Sequence, residues 1–124
     1  MPKVPAITEA EWDVMQVLWD DAPLAAQDVH QRLGEKRDWS PRTVKTLLGR
    51  IVRQRALTYR EDGKRYLYRP KVSREACLRH ASRSFLETVF AGDAAMLVTH
   101  LVRHSRMSRD DIESLKQILD DKEH

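Results

Sequence analysis

Hydrophobic residues near the start of the chain recur with the spacing of an α-helix. In the segment EWDVMQVLW the tryptophans and the methionine stand at i, i+3 and i+7, with a leucine alongside. This pattern predicts an amphipathic helix over residues 8–20. Thr8 and Glu11 have the spacing of a capping box, which satisfies two backbone N–H groups at a helix start. Pro23 then ends the segment.

A second, shorter helix is predicted from about Ala25 to Leu33. Its apolar positions, Ala26, Val29 and Leu33, lie on one face. The residues before it supply no side-chain oxygen, so its N-terminal cap is weak. Gly34 follows the last apolar position and suits the left-handed conformation that commonly follows a helix.

The segment SPRTVKTLLGRIVR predicts a third helix with two contrasting faces. Ser40 is a favourable N-cap, and Pro41 belongs at the first helical position. The aliphatic residues on one face are Val44, Leu47, Leu48 and Ile51. The residues on the opposite face are Arg42, Lys45, Thr46, Gly49, Arg50 and Arg53. One side of this helix is therefore expected to pack on the first two helices, while the other side meets a partner.

A β-hairpin is predicted after the third helix. Asp62-Gly63 is a strong two-residue turn signal, and aromatic and β-branched residues alternate over residues 57–60 and 65–68. Lys64 and Arg65 lie at its tip. Three helices followed by a basic hairpin is the element order of a winged helix-turn-helix domain, which we place at residues 1–72.

The last third of the chain is predicted to be helical and strongly amphipathic. Ser73 caps a helix to about Ala91, where Gly92 ends it, and Asp93 caps a short helix through Val102. The last predicted helix of the chain begins with the capping pair Ser108 and Asp111. This apolar surface after a complete DNA-binding unit predicts a helical dimerisation domain over residues 73–124. The predicted interface residues are Leu78, Ala81, Phe85, Val89, Leu97, Leu101, Ile112, Leu115 and Leu119.

Charge is concentrated in the middle of the chain. The net charge is +3, but residues 40–74 alone carry eleven Lys and Arg against two acids, a net of +9. This block is either a polyanion-binding surface or a solvated charged face. Its overlap with the third helix and the hairpin favours DNA. The predicted DNA contacts are Arg42, Thr43, Lys45, Thr46, Arg50, Arg53, Lys64 and Arg65.

Other classes of protein are poorly supported by the sequence. One cysteine, Cys77, rules out an intramolecular disulfide, and no secretory signal or membrane-spanning run is present, so we expect a cytoplasmic protein. No nucleophile elbow or phosphate-binding glycine loop is present, so neither an enzyme nor a cofactor is expected. Metal binding by Cys77, His80, His100 and His104 stays open as a metal- or ligand-sensing alternative. A winged-helix adaptor that binds proteins is a second alternative.

Four segments resemble one known family. They are TEAEWDVMQVLWD, WSPRTVKTLLGRIV, GKRYLYRPKVSREAC and RSFLETVFAGD, in this order. Together they resemble the BlaI/MecI/CopY penicillinase-repressor family, and the resemblance runs from Ile7 to about Leu119. It implies a homodimeric repressor that binds palindromic operators with TACA/TGTA half-sites and blocks genes such as those for β-lactamases. By position, the residues that match the family's DNA-facing helix are Arg42, Thr43, Lys45, Thr46 and Arg50, and those that match its wing are Gly63, Lys64 and Arg65.

The resemblance also implies a route of release. In the penicillinase branch, a membrane-bound sensor metalloprotease triggers cleavage of the repressor at an Asn-Phe bond in the dimerisation domain. The aligned bond here is His100–Leu101, which departs from that pattern. The copper-responsive branch carries paired C-x-C motifs, which this chain lacks.

Overall fold

The computed structural model describes residues 4–124, apart from the side chain of Glu35, and shows a mainly helical chain with one small sheet. The helices are α1 (Glu9–Asp21), α2 (Ala26–Arg37), α3 (Pro41–Arg53), α4 (Arg74–Phe90), α5 (Ala94–His104) and α6 (Arg109–Glu123). The strands are β1 (Leu24–Ala25), β2 (Leu57–Asp62) and β3 (Arg65–Pro70). The predicted fold class, a winged helix-turn-helix followed by a helical part, is confirmed.

The chain forms two compact units, one ending at Arg83 and the other comprising Ser84–His124. The first unit extends into α4 because Trp19 Nε1 donates a 3.0 Å hydrogen bond to the Val72 carbonyl, and Arg74 Nη2 lies 3.2 Å from Asp20 Oδ1. The predicted division into residues 1–72 and 73–124 stays a prediction.

Helix α1 begins as its sequence predicts. The Thr8 N–H donates to Glu11 Oε1 at 2.9 Å, and the Glu11 N–H donates to Thr8 Oγ1 at 3.2 Å. Met15 lies on its buried face as expected, whereas Trp12 and Trp19 are only partly buried and meet edge to face at the border of that face. The buried apolar face therefore contains Met15 and Leu18 from the predicted stripe, and it adds Val14.

The prediction for Gly34 is wrong. Helix α2 continues to Arg37, and Asp38, not Gly34, takes the left-handed conformation after the helix, at φ 56°. Gly34 lies inside the helix, where an added Cβ would stand 2.6 Å from Nε2 of His30. That imidazole nitrogen is 2.9 Å from the carbonyl oxygen of Trp39, just before α3. Glycine at this position therefore leaves room for the His30 ring and does not form a turn.

We expect Gly34→Ala to destabilise the first unit by about 1–3 kcal/mol, because the methyl group must displace the His30 ring from Trp39. The measurement is the free energy of urea-induced unfolding, with circular dichroism as the signal. Gly49→Ala is the matched control, since its Cβ would meet only Arg53 Nη1, at 3.6 Å. Alanine there should raise stability by up to about 1 kcal/mol. Equal effects of the two substitutions would contradict the role assigned to His30.

The sheet has the strand order β1-β3-β2, and all neighbours are antiparallel. The predicted hairpin is confirmed: Asp62 pairs with Arg65, and Gly63 adopts φ 67° in the turn. Strand β1 was not predicted. Its pairing of Leu24 with Tyr68 and of Ala25 with Leu67 attaches the start of α2 to the base of the hairpin.

The core of the first unit lies between α1, α2, α3 and the sheet. The buried members of this cluster are Val14, Met15, Leu18, Val29, Leu33, Val44, Leu47, Leu48, Ile51, Ala56 and Leu57. All four aliphatic residues predicted for the inner face of α3 are among them, which confirms the orientation of that helix. Its opposite face is consequently left to solvent.

In the second unit, the helix boundaries follow their capping residues. Gly92 has φ 83° after α4, and Asp93 Oδ1 accepts from the Met96 N–H at 3.0 Å. Ser108 and Asp111 form the predicted capping box. Neither α5 nor α6 buries a residue among those described. No single described helix is long and apolar enough to cross a membrane, although α4 and α5 counted together as a bent pair meet that length and composition.

Candidate nucleic-acid interface

The outer face of α3 presents cations and a hydroxyl group to solvent. Arg42, Lys45, Thr46, Arg50 and Arg53 are all exposed along this face. Because the opposite face is anchored in the core, the helix backbone is held firmly beneath these side chains. Such a helix has the dimensions of the DNA major groove, and its first turns are the part that reaches base edges.

Ser40 and Thr43 define where α3 begins. Ser40 Oγ accepts a hydrogen bond from the Thr43 N–H at 3.1 Å, and Thr43 Oγ1 lies 3.0 Å from the same oxygen. Thr43 is half-buried, unlike the other predicted contact residues of this helix. Its hydroxyl group is therefore already engaged in the cap, whereas Arg42 and Lys45 extend freely from the first two turns.

The hairpin of β2 and β3, which we call the wing, adds further cations. Lys64 and Arg65 are exposed at its turn, as predicted. Arg65 Nη2 lies 3.8 Å from Asp62 Oδ2, a long ion pair between side chains that are both more than half exposed. Solvent screens such a pair strongly, so the charge of Arg65 remains available to an external partner.

Three tyrosines share one face of the wing. The register places Tyr59 directly opposite Tyr68, and Tyr66 lies two residues before Tyr68 on the same strand. The ring centroids of Tyr59 and Tyr66 are 4.5 Å apart, and those of Tyr59 and Tyr68 are 5.9 Å apart. Burial, together with the two neighbouring tyrosines, raises the pKa of Tyr68, so its phenol stays neutral.

A cleft of about 380 Å³ lies between the wing, the start of α2 and α3. We call it the wing cleft, and its lining residues are Ala25, Ala26, Gln27, Lys45, Lys64, Arg65, Tyr66 and Tyr68. It brings together three of the predicted DNA contacts from two separate elements. Sequence patterns missed Gln27, because its nearness to the wing depends on the unpredicted pairing of β1 with β3.

The residues predicted for the dimer interface are largely exposed within one chain. Phe85 is 49% exposed, Val89 60% and Leu101 50%. The remaining exposed members are Leu78, Ile112, Leu115 and Leu119, while Ala81 and Leu97 are half-buried. The predicted cleavage bond, His100–Leu101, lies inside α5 on an exposed segment.

The candidate metal ligands do not form a cluster. Within the part of the chain that the structure describes, no group of three or more His, Cys, Asp or Glu side chains is placed to hold a metal ion. His100 and His104 lie with ring centroids 5.7 Å apart on α5. Cys77 is buried in α4, and this burial raises the pKa of its thiol, which disfavours the thiolate that binds metals.

Known proteins are similar to this chain both in sequence and in fold. The model of the penicillinase repressor family matches residues 7–121. The penicillinase repressor of Bacillus licheniformis is 30% identical over 121 residues, which cover 98% of this chain and 94% of that protein. The methicillin resistance regulatory protein MecI of Mammaliicoccus sciuri is 31% identical over 116 residues, which cover 94% of each chain.

The structural similarity concerns the first unit. The solution structure of monomeric Bacillus licheniformis BlaI with the blaP half-operator superposes with a TM-score of 0.53 at 32% identity. The match covers 60% of this chain and 92% of that one. The chain belongs to the penicillinase repressor family.

Proposed function

We propose that this protein is a homodimeric transcriptional repressor whose winged helices bind a two-fold-symmetric operator with TACA/TGTA half-sites and occlude a promoter. The observation that carries the proposal is the two-faced α3: its aliphatic residues are buried, and its cations project from the opposite side. Arg42 and Lys45 are suited to base acceptors, whereas Arg50 and Arg53 lie farther along the helix and suit phosphates.

Electrostatics supports a polyanionic partner. The segment from residue 40 to residue 74 carries a net charge of +9, and in the fold it forms α3 and the wing. Neutralising phosphates with these cations releases condensed counterions, so operator affinity should fall steeply as salt rises. Phosphate contacts would supply most of the affinity, and the base contacts would select the sequence.

A mobility-shift titration against genomic fragments at increasing salt tests the DNA-binding proposal. We expect a few fragments to remain bound when non-specific complexes have dissociated, because specific sites bind more tightly than bulk DNA. A winged-helix adaptor for proteins would retain no preferred fragment at any salt concentration, and that outcome would reject the repressor.

Dimerisation is supported by the exposed apolar residues of the second unit. A monomer in water rarely leaves so many large aliphatic and aromatic side chains exposed on consecutive helices. Pairing of two copies around a two-fold axis would cover this surface and present two identical α3 helices. A palindromic operator, with half-sites about one helical turn or a small multiple apart, matches that symmetry.

We also propose release by proteolysis at or near His100–Leu101, through a membrane-bound sensor metalloprotease. The bond lies in the middle of α5, so a protease can accept it as an extended strand only after local unwinding of this helix. In the single chain none of the described residues of α5 is buried, so local opening of the predicted interface at Leu97 and Leu101 would leave the unwound bond accessible to a protease.

In cells exposed to the inducing signal, we expect two cleavage fragments whose ends share one bond within α5. Mass spectrometry of the protein recovered from these cells measures the fragments. Recovery of intact protein alone from fully induced cells would reject this mechanism.

A further inference from the structure

We propose that the wing cleft holds one deoxyribose-phosphate unit of the DNA backbone, with Gln27 as a contact residue that the recognition helix and the wing do not supply. The proposal rests on the DNA-binding function proposed above and adds a third element, the start of α2, to the interface. It assigns the phosphate to the cationic side of the cleft and the sugar to its tyrosine side.

The cationic side has charge available for an anion. Among the side chains that the structure describes, Lys45 and Lys64 form no ion pair within 4.0 Å. The third cation, Arg65, has only its long, exposed pair with Asp62. Lys64 and Arg65 line the cleft without a close counter-charge and can hold a phosphate, while Lys45, assigned to base acceptors, adds positive potential from α3.

The start of α2 also lines the cleft, through Ala25, Ala26 and Gln27. The N–H groups in the first turn of any α-helix have no partner inside the helix. The Ala25 N–H already donates a hydrogen bond to Asp28 Oδ2, at 3.1 Å, and the residues that line the cleft do not include Asp28. The exposed Gln27 side chain adds an amide donor beside this turn. Strand β1 holds the turn against the wing by pairing Leu24 with Tyr68.

The remaining wall indicates that the ligand is larger than a bare phosphate. Tyr66, which is 44% exposed, and the half-buried Tyr68 and Ala26 also line the cleft. An inorganic ion would leave this apolar surface wet. A deoxyribose ring attached to the phosphate would cover it, and the cleft volume of about 380 Å³ accommodates a group of that size.

A double-mutant cycle between protein and DNA tests the assignment. The duplex is one enriched from random DNA by the wild-type protein, and single neutral methylphosphonates replace its phosphates one position at a time. Gln27→Ala and Lys64→Ala are compared with Lys36→Ala, which removes an exposed charge from α2 outside the cleft. Affinities are measured by fluorescence anisotropy at fixed salt.

At one backbone position per half-site, we expect the methylphosphonate to weaken wild-type binding about tenfold. The same replacement should have little further effect on Gln27→Ala or Lys64→Ala, but its full effect on Lys36→Ala. Additive effects at every position would overturn the assignment of the wing cleft to the DNA backbone while leaving DNA binding intact. Failure of the wild-type protein to enrich any duplex would instead reject the proposed function, and the assignment of the cleft with it.

A second arm separates the DNA backbone from free anions. Inorganic phosphate and thymidine 5′-monophosphate are titrated into the DNA-free protein while the amide signals of Ala26 and Gln27 are followed by NMR, and into the protein–duplex complex while fluorescence anisotropy reports displacement of the duplex. We expect weak binding that does not displace the duplex at millimolar concentration. Tight binding of either anion, with displacement of the duplex, would overturn the assignment in favour of a small-molecule site.

Discussion

Phe85→Asp is expected to sediment as a monomer and to bind its operator about 100-fold or more weakly than the wild-type protein. Phe85 lies on the apolar stripe of α4 and is 49% exposed in the single chain. In a dimer its carboxylate replacement would be buried without a partner, at a cost of several kcal/mol. Separate monomers also lose the avidity of two linked half-sites, which is commonly about 100-fold or more.

The measurements are sedimentation equilibrium and anisotropy with an operator duplex. Ser84→Asp is the matched control, because it adds the same charge one residue away, about 100° around the helix and off the stripe. Since Phe85 is half exposed, the variant monomer should keep its helical circular dichroism. A Phe85→Asp protein with the wild-type mass in solution would show that the dimer interface lies elsewhere.

Arg42→Ala and Lys45→Ala are expected to relax the preference for particular base pairs, by about 1–3 kcal/mol each. Both side chains project from the first two turns of α3, and the buried face holds the helix in one orientation. Replacing either residue should therefore reduce discrimination at its own base pair, while the other base pairs of the half-site remain selective.

Affinities for a panel of single-base-pair operator variants measure this effect. Arg53→Ala serves as the comparison within the same helix, because it lies in the last turn and is assigned to phosphate. It should weaken all sequences by a similar factor and reduce the salt dependence by about one counterion. If Arg42→Ala and Lys45→Ala behave in the same uniform way, both residues contact the backbone and the bases are recognised by other groups.

The cap residues show how far local patterns lead. The Thr8–Glu11 box, the Ser40 cap and the Asp62-Gly63 turn all form as expected. Each of these motifs is satisfied by atoms within a few residues, so it depends little on the rest of the fold. The inner face of α3 is equally predictable, because a helix with one strong apolar stripe can bury it in only one orientation.

Gly34 shows where local patterns fail. A glycine after the last apolar position of a helix is typical of a C-terminal cap, but this one lies within α2 against His30. The imidazole takes that position because its Nε2 meets the Trp39 carbonyl, and that contact exists only when α2 and α3 are folded on each other. The spacing of glycine along the chain cannot distinguish these two roles.

The amino-acid sequence by itself determined the order of the helices and the hairpin, the two faces of α3 and the concentration of positive charge around it, because these follow from local capping, periodicity and composition. Only the tertiary structure decided that Leu24 pairs with Tyr68, more than forty residues along the chain. That pairing positions Gln27, Lys45 and Lys64 around one cleft. Such pairing of distant residues depends on backbone hydrogen bonds between strands. Because many different sequences can form these bonds, no local sequence pattern identifies the partner strand.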